Sequence, residues 1–196
     1  GHMTPGAADA CAPTRGTPDS TELRRMQQGD RVAAALLEGG AVVARPDYEG
    51  LGVRGPHPYL RGESLARSMG DMARAVRRAF PEVGRHWVAA GHSEGGVAAL
   101  NTGARTGPAA RIPGLLGVAA ITPVTQVDIL ATLLGDAPIA SAPVNVVVSL
   151  AALILKGQAT EDHRTDGLQA GDEEHREGRH DHQGVVAGAE PGQRAG

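Results

Sequence analysis

Apolar residues recur along this chain at several spacings, and each spacing predicts a different element. From Thr21 the pattern is helical: Leu23 and Met26 share a face, Val32, Leu36 and Leu37 continue it, and Gly39-Gly40 stop it. Residues 41–44 form a short apolar run closed by Pro46, which predicts a buried strand. The clearest helix follows, because Leu65, Met69, Met72, Val76 and Ala79 recur at helical spacing while Arg67, Arg74, Arg77 and Arg78 lie mostly off that stripe. Pro81 ends it, and the methionines on its apolar face read as core. Residues 86–90 predict a second buried strand, residues 96–100 the start of a small-residue helix, and Leu115 to Ile121 a third buried strand. Three short apolar strands separated by helices predict an α/β fold with a short parallel sheet flanked by helices. After Thr122-Pro123 the pattern loosens: residues 127–134 read as helix, and residues 144–155 as either helix or strand.

At Lys156 the composition changes. From there to Gly196 the only large aliphatic residues are Leu168, Val185 and Val186, among many Asp, Glu, Arg, His and Gly. Such a segment buries too little apolar surface to offset its ordering entropy, so residues 4–155 are expected to form the core and residues 156–196 a disordered polar tail. Residues 4–20, rich in Pro, Gly, Thr and Ala, read as loop. With only Tyr48, Tyr59, Phe80 and Trp87 as aromatics, the core must pack with Ala, Val and Leu.

Charge and length narrow the partners. A net charge of -3 gives no case for nucleic-acid binding. The longest apolar run, residues 146–155, is interrupted by Ser149 and too short to span a bilayer, so no integral membrane segment is expected. Cys11 is the only cysteine, which rules out a disulfide within the chain. Gly1-His2-Met3 reads as the remnant of a cleaved affinity tag, with native sequence from Met3 and no signal peptide in view.

The chemistry concentrates at Gly91-His92-Ser93-Glu94-Gly95, a G-x-S-x-G pattern placed between a predicted strand and a predicted helix. In that setting a sharp turn forces the serine backbone into a strained conformation, which requires small neighbours on either side. Gly91 and Gly95 supply them. The serine hydroxyl then stands clear of the sheet, and the first N–H groups of the helix point toward any oxyanion formed beside it. Just after residue 46, Asp47-Tyr48-Glu49-Gly50-Leu51-Gly52 forms a polar, glycine-bearing loop of the kind that lines a site at the C-terminal edge of a parallel sheet.

These motifs, taken in order with Gly55-Pro56-His57-Pro58-Tyr59-Leu60 and the strand around Gly117-Val118-Ala119-Ala120-Ile121, resemble the secreted lipase family of α/β-hydrolases, the lipase A type with its actinobacterial homologues. The resemblance covers about residues 4 to 155. It implies a partial α/β-hydrolase core, carboxylic ester or lipid ester substrates, no cofactor, and secretion. It further implies Ser93 as the acyl-accepting nucleophile and the backbone N–H of Glu94 as an oxyanion donor. In the family the second donor comes from a His-Gly loop after an earlier strand, and this chain begins at about that loop, just before Ala10-Cys11-Ala12-Pro13. Glu94 stands where the family often has Gln, which would set a negative charge beside the nucleophile if the side chain points inward.

A serine hydroxyl needs a base within hydrogen-bond reach, and that base an acidic partner. His92 lies inside the elbow and should point away from Ser93. His57, with Asp47 and Tyr48, is expected at the site rim, and His86 at the far edge of the sheet. One scheme takes Asp162 or Asp166 as acid and His175, His180 or His182 as base, in the chain order Ser, Asp, His. The same tail histidines lack the rigid paired spacing of a metal site, so no metal is expected. Two other readings stay open: a hydrolase remnant without turnover, and an interaction protein whose open sheet edge is completed by another chain or by a second copy of this one.

Overall fold

Small residues let a helix lie close against two parallel strands, and the rest of the fold gathers around that contact. The computed structural model describes residues 1–17, 19–105, 113–126 and 148–160. Strand β1 (Trp87–His92) pairs in parallel with β2 (Leu115–Ile121). Trp87 pairs with Leu115 and Val88 with Gly117, so Leu116 is an extra residue that bulges from the ladder. Four helices are named in chain order, α1 (Thr21–Met26), α2 (Asp30–Glu38), α3 (Gly62–Ala79) and α4 (Glu94–Ala104), and residues 148–160 are also helical.

Helix α4 is the crossover from β1 toward β2 and covers one face of the pair. Ala98 and Ala99 on the helix and Ala89 on the strand are buried in one cluster with Leu65 and Met69 of α3. At Gly103 an added Cβ would sit 2.9 Å from Val118 Cγ1, so the absence of a side chain there sets the approach of α4 to β2. Tyr48, Leu51 and Ala12 close the cluster from the loops. The helical spacing in α3 therefore behaves as read, with Leu65 and Met69 buried and Met72 and Val76 half-buried. Glu63 in its first turn and Arg77 and Arg78 in its last complement the helix dipole. Arg77 also donates to the Pro113 carbonyl (2.9 Å) and to Arg85 O, which ties the end of α3 to the approach to β2.

Several expectations are corrected, and β2, read as a buried strand, leaves Leu116, Val118 and Ile121 exposed. The helix expected to run from Thr21 to Gly39 is broken by a 3-10 turn at Gln27–Gly29, where glycine lowers helix propensity. Its apolar stripe is only partly covered: Met26 is buried, but Val32, Leu36 and Leu37 are exposed. Residues 41–44 are not a strand, and Val42 and Val43 are exposed. A buried parallel strand needs a neighbour, and the edge of β1 away from β2 is met instead at Ala90 O by the nitrogen of Gly1 (2.5 Å). The either-or stretch at 144–155 is helical from residue 148, and that helix continues past Lys156 to residue 160. It docks through Gly157, where an added Cβ would lie 2.7 Å from Tyr59 N, and through Arg61 donating to Gln158 Oε1 at 2.6 Å. Disorder is expected over residues 156–196, yet residues 156–160 are helical; the remaining residues 161–196, like the helix expected at 127–134, lie outside the described residues.

Leu65 is fully buried at the meeting of α3 and α4. Leu65→Ala should cost about 2–5 kcal/mol, read as a lower urea midpoint with little change in slope. An unchanged midpoint would contradict this placement of the core.

Candidate active site

The last residue of β1 and the first of α4 are separated by a single position, and Ser93 occupies it. A reversal that abrupt puts the serine backbone at φ 56° and ψ -117°, a region that side chains rarely adopt. Three hydrogen bonds hold it there: Ser93 N donates to Ile121 O (3.0 Å), while Gly96 N and Val97 N donate to Ser93 O (2.9 and 3.1 Å). The turn closes so tightly that a Cβ at Gly91 would strike the Gly95 carbonyl, and one at Gly95 would strike the Gly1 carbonyl. Both glycines of the motif are thus required by contact. The Ser93 side chain makes no capping bond to α4 and is half-buried. By position, the N–H groups of Glu94 and Gly95 come before those that bond to Ser93 O, have no acceptor within the helix, and lie beside Ser93 where an anion could be met.

The Glu94 carboxyl lies away from solvent, fully buried beside His57. His57 Nε2 is 3.0 Å from Glu94 Oε1, and His57 Nδ1 is 2.7 Å from Glu49 O. A backbone carbonyl can only accept, so Nδ1 carries a proton and donates to it. A second proton must then lie between Nε2 and Oε1, since two lone pairs would repel at that distance. Ser64 Oγ donates to Glu49 Oε2 (2.5 Å), which carries the chain of contacts on to α3. Burial raises the Glu94 pKa, with His57 and the nearby Thr4 hydroxyl pulling the other way. Glu94 Oε2 has no hydrogen-bond partner of good geometry.

Aromatic and polar groups wall this pair in. Tyr48 stacks parallel to His57 with centroids 6.1 Å apart, and Tyr59 meets the same ring edge-on. Burial lifts the Tyr48 hydroxyl well above its ordinary range and pushes Tyr59 up to about 12. Tyr59 Oη and Thr4 Oγ1 are 2.8 Å apart. Tyr48 Oη donates to His2 O (3.1 Å), and the His2 ring stacks on Tyr48 at 4.1 Å. The segment read as a tag remnant is therefore packed into the site: His2 is buried, and Gly1 lies against Gly95.

Of the sequence candidates, Ser93 lies at the turn between β1 and α4, and Glu94 is the first residue of α4. Tyr48 and His57 are not at a rim; both are buried, because their loop folds under the elbow rather than around it. Asp47 is half-buried and accepts from Thr14 N (3.2 Å) and Thr14 Oγ1, so it pins the N-terminal loop. Asp162, Asp166, His175, His180 and His182 lie outside the described residues. Among the described residues no histidine is hydrogen-bonded to Ser93: His57 is held by Glu49 and Glu94, and His2 Nδ1 by Met3 O at 2.8 Å. Sequence reasoning missed His2 and Thr4. Their placement depends on contacts with Tyr48 and Tyr59, 46 and 55 residues away, which no local pattern signals. No group of three or more potential metal ligands occurs among the described residues, and none of their helices is long and apolar enough to cross a membrane. Compared with protein-family models, curated proteins and solved structures, the chain matches none.

Two outcomes follow from this geometry. Because glycine relieves the Ser93 backbone strain, Ser93→Gly should be more stable than Ser93→Ala by about 1 kcal/mol, and a less stable Gly variant in urea would contradict the strained turn. Burial lowers the His2 pKa from 6.5 to about 4, with the nearby charge of Arg45 acting the same way and the Met3 carbonyl opposing. Between those values the unfolded chain binds a proton that the folded chain does not. The stability from neutral His2 is therefore complete above pH 6.5 and declines as pH falls toward 4, by up to about 3 kcal/mol. His2→Phe should flatten that decline in urea midpoints, and an equally steep decline would rule His2 out as its source.

Proposed function

We propose that this chain carries the elbow of a serine hydrolase that cleaves carboxylic esters, small-molecule or lipid, through an acyl-enzyme on Ser93. The observation that carries the reading is the backbone of Ser93 itself, held at φ 56° between a parallel strand and a helix, with Gly91 and Gly95 in contact across the turn. Strain of this kind is kept where it serves to present a side chain. In the reaction Ser93 Oγ attacks the ester carbonyl as a base takes its proton. The oxyanion is met by the Glu94 N–H, the alcohol leaves with the proton returned by the base, and water then releases the acid by the same route. The base and acid for this scheme are sought in His175, His180 or His182 and in Asp162 or Asp166. No cofactor enters it.

A second reading has its own observation. Val88 on β1 and Leu116 and Ile121 on β2 are exposed, with Leu116 at 69%. Parallel sheets normally have both faces covered, so this surface supports a fold without turnover whose sheet is completed by a second copy of the chain.

Intact-mass measurement after treatment with a fluorophosphonate separates the two. The hydrolase reading expects one adduct per chain, lost in Ser93→Ala. Folded protein that takes up no adduct, and elutes as a dimer that dissociates on dilution, would favour the second reading.

A further inference from the structure

Glu94 has two roles that meet in one residue. Its backbone N–H is the oxyanion donor of the proposed reaction, on which this inference rests, and its side chain is fully buried against His57. We infer that His57 and Glu94 act as a single buried unit holding one proton between Nε2 and Oε1, which fixes the oxyanion-donating turn and keeps it free of negative charge. His57 and the Glu94 carboxyl are thus positioning groups: neither touches the reacting atoms, and both act through the N–H of Glu94.

Geometry carries this. His57 is anchored at its far side by donation to Glu49 O (2.7 Å), so its ring cannot swing away from Oε1 at 3.0 Å. Glu49 is in turn bonded through its carboxylate to Ser64 on α3. The turn after Ser93 is thereby tied, through side chains, to a helix other than its own. An ionised carboxylate at 94 without a proton-bearing partner would suffer a large desolvation penalty and set a negative charge one residue from the nucleophile. With the proton shared, the pair is neutral overall whichever atom holds it, and it sets no net charge beside the nucleophile.

The other groups facing the pair do not replace that proton. Tyr48 and Tyr59 are held neutral by burial, Thr4 offers a hydroxyl, His2 is neutral behind Tyr48, and Arg45 acts on Tyr48 only through space. Raising the pH far enough removes the shared proton and leaves a net charge of about -1 under the oxyanion donor. Reactivity at Ser93 should then fall by on the order of a hundredfold, the effect of one charge several ångströms away at an effective dielectric of about 20.

The test pairs the wild-type chain with Glu94→Gln, which keeps the hydrogen bond to His57 but cannot ionise. Two quantities are followed against pH: the rate of Ser93 modification by a fluorophosphonate, and the NMR shifts of the His57 ring nitrogens and of the 13C-labelled Glu94 carboxyl. The inference expects an alkaline fall in the wild-type rate that is absent in Glu94→Gln. It also expects the His57 Nε2 and Glu94 signals to titrate together while Nδ1 stays protonated. An alkaline fall that persists in Glu94→Gln overturns the charge role. A Glu94 carboxyl that titrates alone as an ordinary acid overturns the shared proton. Absence of modification in both proteins at every pH overturns the hydrolase reading and with it the oxyanion role, while the NMR titration still decides whether the proton is shared.

Discussion

The backbone conformation of Ser93 is the constraint from which the rest of the structure follows. A strand that turns into a helix within one residue forces φ to 56°. That in turn brings the Gly95 backbone so close to Gly91 that Gly91 tolerates no side chain, while Gly95 is kept bare by the Gly1 and His2 carbonyls. Strain at one residue costs about 1–3 kcal/mol, so the surroundings must hold it in place. They do so by hydrogen bonds from Ser93 N to the end of β2 and from the first turn of α4 to Ser93 O. They do so as well by packing the Gly1 and His2 backbones across Gly95.

The buried pair beneath the turn works on the same constraint from the side-chain level. A lone carboxylate or a lone imidazolium in a dry core is costly, and breaking such a pair commonly costs 3–5 kcal/mol. The hydrogen bond from His57 to Glu49 O removes one ambiguity, since it commits one ring nitrogen to donating. The remaining proton then has one place to be, between His57 and Glu94. The result is a first helical turn held at both levels, its Glu94 side chain bonded to His57 and its Gly96 and Val97 N–H groups to Ser93 O. This is a different outcome from the inward-pointing charge that the identity of residue 94 alone suggests.

How much of this was legible in the sequence depends on the range of the interaction. The elbow could be read because its requirements are local: two glycines at fixed offsets, an apolar run before, small residues after. Helix α3 could be read for the same reason, its stripe of Leu65 and Met69 being buried as the spacing demands. Residues 41–44 could not, because an apolar run becomes a strand only if a neighbour is free, and the nearest edge of β1 is met by Gly1. The His57–Glu94 pair spans 37 residues, with no periodicity to announce it. A histidine between two prolines reads as an exposed loop until the loop is seen to fold under the turn. His2 was discounted for a parallel reason: its short motif reads as an added tag, while its burial against Tyr48 depends on contacts 46 residues away.

On the proposed hydrolase reading, Ser93 and the start of α4 together form a site that stabilises a tetrahedral oxyanion. That claim is tested most directly by 11B NMR of the folded chain with an alkylboronic acid, which becomes tetrahedral only when a nucleophile adds to boron. A tetrahedral signal with the wild-type chain, absent in Ser93→Ala, is the predicted result. Boron that stays trigonal with folded wild-type protein, or a tetrahedral signal that survives in Ser93→Ala, would contradict the claim.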